Sequence, residues 1–87
     1  MISQIKYSPN AWLDYIYWQK TDKSVQQLID QTIEKICNDP YGEESKAIQL
    51  KFDLSEIWSR RIDLENRIVY RVVEDTVEIV QCKYHYI

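Results

Sequence analysis

Apolar side chains follow first a strand pattern and then a helical pattern at the start of the chain. Residues 2–7 alternate between apolar and polar, which predicts a short β-strand. Ser8 followed by Pro9 is typical of a helix start, because serine caps free N–H groups and proline fits the first helical position. The predicted helix ends near Lys20, and its apolar stripe consists of Ala11, Trp12, Tyr15, Ile16 and Trp18.

A second helical pattern follows almost without a break. Thr21 or Asp22 is its predicted N-cap, and it stops before Pro40, since proline disfavours helix in the residue before it. Residues 39–42 are typical of a turn, and a polar loop at 43–46 comes next. This helix is predicted to be amphipathic because its apolar face recurs at spacings of three and four: Val25, Leu28, Ile29, Thr32, Ile33 and Ile36.

From Ile48 onward, β-branched and aromatic residues dominate, which favours strands. The predicted strands are 49–52, 57–64, 67–74 and 77–86. The order β-α-α-β-β-β-β predicts an α+β domain, in which two N-terminal helices pack on one face of a four- to five-stranded, mostly antiparallel twisted sheet. A chain of 87 residues supports one hydrophobic core, so residues 1–87 are predicted to form a single domain.

Strand parity predicts which side chains share a face of the sheet. From 58 to 84 the even positions are nearly all apolar, with Arg60 as the exception, and the odd positions are mostly polar. Loops of three residues at 64–66 and 74–76 keep this separation. They pair position 61 with position 69, and position 67 with positions 63 and 83. The even residues would then face the helices, and the open face would collect Arg61, Arg67, Arg71, Lys83 and His85.

The charge of the chain indicates which kind of nucleic-acid binding to expect. A net charge of −3 argues against indiscriminate nucleic-acid binding, which needs clustered lysine and arginine. All the arginines nevertheless lie in residues 51–87, whereas residues 1–50 contain lysine alone as their strong base. Because the guanidinium group suits bidentate phosphate contact, the C-terminal part is the predicted location of any phosphate-binding surface.

Several other classes of protein are disfavoured. The opening MISQIKYSPN lacks the basic and apolar regions of a signal peptide, and no apolar run approaches the length of a membrane span, so we expect a soluble cytoplasmic protein. Cys37 and Cys82 lie far apart in apolar stretches, which favours buried thiols over a disulfide. No metal-ligand spacing, phosphate-binding loop or hydrolase triad is present, so we expect neither metal nor cofactor.

Arginines beside a histidine suit the cleavage of an RNA phosphodiester. Guanidinium groups neutralise the charge that develops on phosphorus, and a histidine near neutral pKa can protonate the leaving oxygen. The alternative is a solvated sheet face whose basic residues pair with Asp63, Glu65 and Glu78, an arrangement that composition alone favours. Among the other candidates, Tyr86 is the aromatic residue freest to act, whereas Trp12, Trp58 and Cys82 are predicted to belong to the core.

Three stretches of the sequence are distinctive: LSEIWSRRI at 54–62, ENRIVY at 65–70 and the ending CKYHY at 82–86. Together they resemble YoeB/Txe toxins of the RelE superfamily. Residues 12–23, WLDYIYWQKTDK, are similar to the N-terminal signature of that family. The resemblance spans nearly the whole chain.

The resemblance implies a toxin of a type II toxin-antitoxin system, an RNA endonuclease that cuts the mRNA codon in the ribosomal A site and thereby inhibits translation. It implies the message's own 2′-hydroxyl as nucleophile and a 2′,3′-cyclic phosphate product. His85 matches the general acid, Arg67 the transition-state arginine, Arg61 a supporting phosphate contact, and Tyr86 a substrate-arranging residue. Lys83 and Arg71 are further RNA-binding candidates. The implied partners are a YefM/Phd-like antitoxin, the ribosome with its mRNA, and, as an option left open, a second copy of the chain.

One position departs from the family pattern. The family places a glutamate general base two residues before a leucine, and Ile48 occupies that position in the loop SKAIQL at 45–50. Loss of a general base costs typically 10² to 10⁴ in rate, which predicts an attenuated enzyme. Glu43 or Glu44 is a candidate substitute base. Two alternatives stay open: a silent relative that binds antitoxin or ribosome without cutting RNA, and an interaction domain that shares only the fold.

Overall fold

The computed structural model describes residues 2–41, 48–50 and 57–84, with the backbone alone for 48–50. The predicted site residues His85 and Tyr86, and the candidate bases Glu43 and Glu44, lie outside the described residues. The elements are β1 (Gln4–Tyr7), α1 (Pro9–Thr21), α2 (Lys23–Asn38), β2 (Ile48–Leu50), β3 (Ile57–Arg61), β4 (Arg67–Val73) and β5 (Thr76–Gln81). Their order confirms the predicted β-α-α-β-β-β-β arrangement.

Local capping explains where the helices begin and end. The Ser8 hydroxyl accepts a hydrogen bond from the Ala11 N–H at 3.0 Å, and Pro9 occupies the first position of α1. Asp22 serves both helices: its N–H donates to the Trp18 carbonyl, and its carboxylate accepts from the N–H groups of Ser24 and Val25. One residue therefore ends α1 and starts α2, which confirms the predicted cap at Asp22.

The five strands form one sheet in the order β1-β5-β4-β3-β2. β1 runs parallel to β5, and the other three neighbouring pairs are antiparallel. Both helices contribute to a single buried cluster against this sheet, so the predicted α+β fold class is confirmed. No helix in the described part of the chain is long and apolar enough to cross a membrane.

The predicted pairing of β3 with β4 is wrong by two residues. Arg61 pairs with Arg67, and Ser59 pairs with Val69, so the connecting loop spans residues 62–66. The loop is longer than predicted because its backbone is bonded internally, with the Ile62 N–H donating to the Asn66 carbonyl at 2.9 Å. Since the shift is an even number of residues, the predicted parity of β3 and β4 survives.

The predicted pairing of β4 with β5 is wrong in a different way. Val73 pairs with Thr76 across a two-residue turn, in which Glu74 adopts a φ of 56°. This turn reverses the parity of β5, so Val77 and Ile79 enter the core. Tyr70 pairs with Ile79 and Val69 with Gln81, which makes Val80 the extra residue of a β-bulge. The bulge restores the predicted parity, and Cys82 is fully buried.

The hydrophobic core lies between the helices and one face of the sheet. Its fully buried members include Ala11, Ile29, Ile36, Ile68, Tyr70, Val77, Ile79 and Cys82. Trp58 is half-buried against this cluster, and the Cys82 thiol lies within it, as predicted. The core prediction is wrong for Trp12, which is 49% exposed, and for Leu28, which is 37% exposed.

The contacts of Arg60 explain why this one charged residue lies among the apolar even positions. Its side chain is only 4% exposed, on the helix-facing side of β3. One of its terminal N–H groups donates to the Asp39 carbonyl at 2.7 Å, just beyond the end of α2. A helix C-terminus leaves carbonyl groups without partners and attracts a cation, which accounts for an arginine in an apolar position.

Candidate functional site

Arg61 and Arg67 are direct cross-strand neighbours, at the end of β3 and the start of β4. Like charges in this arrangement repel each other, and burial, followed by the charge of Arg61, lowers the pKa of Arg67 from its ordinary value. Among the described residues, neither has a carboxylate within ion-pair distance. Two adjacent guanidinium groups without an acidic counter-ion favour the binding of an anion, and we call them the arginine pair.

Ser59 fixes the orientation of Arg67. The Arg67 Nε–H donates to the Ser59 hydroxyl at 2.6 Å, and one Nη–H donates to the Ser59 carbonyl at 3.2 Å. Ser59 itself is 2% exposed. Since guanidinium carries five N–H donors, these two bonds hold one edge and leave the others for a phosphate. Ser59 was missed from the sequence, although it shares the odd parity of Arg61 and Arg67.

The end of the described chain passes beside the arginine pair. The Arg67 N–H donates to the Tyr84 carbonyl at 2.9 Å, and the Tyr84 N–H donates to the Asn66 side-chain oxygen at 2.7 Å. The hydrogen bonds therefore bring the segment that leads into His85 to the start of β4.

Arg71 lies on the open face, but its charge is balanced. Its Nε–H donates to a Glu78 carboxylate oxygen at 2.7 Å, across the β4–β5 pair. This is the only ion pair within the described ranges. The Arg71–Glu78 ion pair agrees with the alternative prediction, in which basic residues of the sheet face pair with acidic ones, but only at this position. Asp63 instead accepts hydrogen bonds from its own loop, including the N–H of Glu65.

Lys83 does not join the arginine pair, contrary to the prediction of one cationic face. Its ammonium lies 4.0 Å from the centre of the Tyr17 ring on α1 and 4.9 Å from that of Tyr84. The reason is that β5 ends at Gln81. The Cys82 backbone then bonds to α1, with its N–H donating to Asp14 and its carbonyl accepting from Trp18.

A pocket of about 490 Å³ extends the open face toward β1. Ile57, Arg71 and Glu78 line it on the sheet, and Tyr7, Ser8 and Pro9 line it at the β1–α1 junction. Ile57, Ser59 and Arg61 are alternate residues of β3, so this pocket lies on the same face as the arginine pair, toward the other end of the strand. Between the pocket and the arginine pair the same face carries Ser59 and Val69, which are both buried.

Position 48 lies next to the residue that orients Arg67. The backbone of β2 pairs Ile48 directly with Ser59, and opposed Cα atoms in antiparallel strands lie about 4.5 to 5.5 Å apart. The chain thus has an isoleucine at a register position one strand away from Ser59.

Within residues 2–41 and 57–84, no group of three or more metal-ligating side chains is present.

Burial excludes Cys82 as a nucleophile. Desolvation, followed by the charge of Asp14, raises the pKa of its thiol to about 12, so the thiolate is negligible at neutral pH. Cys37 is also a free thiol, and burial, followed by Glu34, raises its pKa. Both thiols are free, as predicted, but the predicted burial holds only for Cys82, since Cys37 is partly exposed.

Comparisons with known proteins agree with the resemblance over almost the entire chain. A family model described as the YoeB-like toxin of bacterial type II toxin-antitoxin systems matches residues 7–86. Toxin YoeB of Escherichia coli strain K12 is 42% identical over 80 residues, which cover 92% of this chain and 95% of that protein.

Solved structures give the same result. A YoeB/ParE toxin from Agrobacterium tumefaciens is similar with a TM-score of 0.89 at 35% identity, covering 97% of this chain and 100% of that one. YoeB from Staphylococcus aureus, solved as a dimer, has a TM-score of 0.88 at 37% identity, covering 99% and 100% of the two chains. In a heterotetrameric YoeB-YefM toxin-antitoxin complex from the same organism, the TM-score is 0.84 at 37% identity, with 99% of each chain covered.

Proposed function

The chain belongs to the YoeB-like toxin family of bacterial type II toxin-antitoxin systems, and on that premise we propose that it is a ribosome-dependent mRNA endonuclease that inhibits translation. The observation that carries the proposal is the arginine pair on the open face, with Arg67 oriented by Ser59. A pair of guanidinium groups without a carboxylate partner among the described residues is suited to a phosphodiester whose charge increases during reaction.

The proposed reaction is an internal transfer within the RNA. The 2′-hydroxyl of one nucleotide loses its proton and attacks the adjacent phosphorus, and the bond from phosphorus to the 5′-oxygen of the next nucleotide breaks. Arg67, supported by Arg61, stabilises the added negative charge on the phosphoryl oxygens. His85 gives a proton to the departing 5′-oxygen, and Tyr86 arranges the substrate. The products are a 2′,3′-cyclic phosphate and a free 5′-hydroxyl.

The weak point of the proposed enzyme is the acceptor for the 2′-hydroxyl proton. Isoleucine at position 48 has no group that accepts a proton, and a general base contributes typically 10² to 10⁴ in rate. We expect cleavage that is slow relative to that of family members with glutamate at this position. Glu43 and Glu44 are the candidate substitute bases.

The proposed partners follow from the relatives. Since the Staphylococcus aureus toxin was solved with YefM and also as a dimer, we expect a YefM-like antitoxin for this chain and the capacity to self-associate. The antitoxin would suppress activity by covering the arginine pair. The proposed site of action is the ribosomal A site, in the cytoplasm, and the proposed chemistry requires no metal or cofactor.

Induction of the chain in cells, with mapping of mRNA ends, tests the proposal. We expect growth arrest and cuts within A-site codons, both lost in His85→Ala and Arg67→Ala. Lys23→Ala is the matched control, because it removes an exposed cation at the start of α2. Arrest and cuts that persist unchanged in both site variants would refute the assigned roles.

Ile48 also favours a second candidate function, in which the protein is a catalytically silent relative that binds antitoxin or ribosome without cutting RNA. The backbone places position 48 opposite Ser59, so a glutamate there would lie one strand from the group that orients Arg67. The silent reading predicts antitoxin binding without cleavage, and a gain of cleavage in Ile48→Glu. Equal activity of the parent and Ile48→Glu would contradict it.

A further inference from the structure

Asn66 is a buried side chain that the proposed reaction leaves without a role. It is 3% exposed and directly precedes β4. Its side-chain N–H groups donate to both Asp63 carboxylate oxygens, at 3.1 and 3.2 Å, and its side-chain oxygen accepts from the Tyr84 N–H at 2.7 Å. One amide therefore joins the 62–66 loop to the C-terminal segment.

The chemistry at the two ends allows only one orientation of this amide. The Asp63 carboxylate accepts hydrogen bonds, and the Tyr84 N–H donates one, so the bridging group must donate on one side and accept on the other. The backbone of Asn66 is also fully engaged, its N–H donating to Asp63 at 2.8 Å and its carbonyl accepting from Ile62. These hydrogen bonds are part-buried, and because every polar group of Asn66 has a partner, they restrict its movement.

Asp63 is held in its charged form by this network. Burial would raise the pKa of its carboxyl, but hydrogen bonds from the Glu65 N–H, the Asn66 side chain and the Asn66 N–H outweigh that effect, and the pKa is lowered. The carboxylate is therefore a fixed acceptor at neutral pH, and it locks the Asn66 amide with its oxygen toward Tyr84.

Hydrogen bonds hold the backbone of Tyr84 at both its N–H and its carbonyl group. The Asn66 side chain accepts from its N–H, and the Arg67 N–H donates to its carbonyl. Tyr84 adopts a φ of 62°, a left-handed conformation that is unfavourable for a residue with a side chain. Such a conformation persists where surrounding contacts enforce it, and here the two backbone hydrogen bonds of Tyr84 supply those contacts.

We propose that Asn66 is a positioning residue, which clamps Tyr84, the residue before His85 in the sequence, beside Arg67. The inference rests on the proposed function for the roles of His85 and Tyr86. The clamp explains why a buried amide stands at the junction of a loop, a strand and the chain segment that carries the general acid.

A charge swap tests the clamp directly. In Asn66→Asp, two carboxylates face each other at neutral pH, and the clamp is expected to open. In the double variant Asp63→Asn with Asn66→Asp, the amide at position 63 donates to the carboxylate at position 66, which still accepts from the Tyr84 N–H. Leu64→Asp is the matched control, since it adds the same charge in the same loop on a side chain that is 83% exposed.

Hydrogen exchange of the Tyr84 amide is the first readout, and it does not depend on activity. We expect exchange about tenfold faster in Asn66→Asp and recovery in the double variant. Parent-like protection in Asn66→Asp, or no recovery in a folded double variant, would overturn the clamp. A single variant that fails to fold leaves the double variant to decide, because only the clamp predicts its recovery.

Single-turnover cleavage on programmed ribosomes is the second readout, measured in the parent and in the Ile48→Glu background. We expect the chemical rate to fall about 10- to 100-fold in Asn66→Asp, with ribosome affinity unchanged, and to return in the double variant. Cleavage at the parent rate in Asn66→Asp would contradict the positioning role. If neither the parent nor Ile48→Glu cleaves mRNA, the proposed function is contradicted. The hydrogen-exchange data would still test the clamp, because they do not depend on cleavage.

Discussion

The basic residues predicted for the open face differ in their contacts. Arg61 and Arg67 face each other without an acidic partner among the described residues, whereas Arg71 is bonded to Glu78 and Lys83 packs on Tyr17. The sequence predicts that Arg61 and Arg67 share a face, because parity and family resemblance both select them, but it does not predict that they are direct cross-strand neighbours. It does not predict the loss of Lys83, since that depends on where β5 ends and on hydrogen bonds to α1.

Ser59 provides a prediction at the residue scale. Ser59→Ala removes the hydroxyl that accepts from the Arg67 Nε–H and leaves the guanidinium held only by the weaker bond to the carbonyl. We expect the single-turnover rate of mRNA cleavage to fall about tenfold, because a misoriented arginine stabilises the transition state less well. Ser3→Ala, on an exposed serine of the segment before β1, is the control. Equal rates in parent and Ser59→Ala would show that Arg67 needs no orienting partner.

At the scale of elements, the helices follow from local sequence and the sheet register does not. Caps at Ser8 and Asp22 and the spacing of apolar residues suffice for α1 and α2. The register of β5 depends on two compensating irregularities, a two-residue turn after Val73 and a bulge at Val80. Because the second restores the parity that the first reverses, the average pattern of the strand conceals both.

Ser8 ties α1 to that bulge, which makes it a test of how the elements are joined. Its hydroxyl accepts from the Ala11 N–H and donates to the Val80 carbonyl at 2.9 Å. We expect Ser8→Ala to lower the free energy of unfolding by about 1 to 2 kcal/mol, measured by urea denaturation. Ser24→Ala, which alters an exposed serine in the first turn of α2, is the comparison. A smaller loss in Ser8→Ala than in Ser24→Ala would contradict the joint role of Ser8.

The 62–66 loop gives a prediction of pH dependence. The lowered pKa of Asp63 means that its charged form stabilises the folded state above the ordinary value of 3.8, and that this stabilisation is lost as pH falls through the folded pKa. Asp63→Asn should therefore lose less stability than the parent between about pH 5 and pH 3, because its amide oxygen accepts at every pH. Urea midpoints at the two pH values measure this. Identical losses in both proteins would show that Asp63 does not contribute.

For the whole molecule, local and global charge have opposite signs. The chain carries a net charge of −3, yet Arg61 and Arg67, which have no carboxylate partner among the described residues, lie together at one end of the open face. Under the proposed function, affinity for RNA would come from a small number of oriented contacts, with the ribosome supplying the message in place. The fold and the family are predictable from sequence because they rest on many residues. The proposed catalytic activity, in contrast, rests on a few residues, among them position 48 and the sequence after Tyr84.

The most direct test uses purified ribosomes carrying a defined mRNA with an empty A site. We predict that the chain cuts within the A-site codon and leaves a 2′,3′-cyclic phosphate, slowly in the parent and about 10² to 10⁴ times faster in Ile48→Glu. Arg67→Ala should abolish cleavage in both backgrounds. Intact mRNA with the parent and with Ile48→Glu, or cleavage that survives Arg67→Ala, would contradict the assignment of the arginine pair as the centre of an RNA-cleaving site.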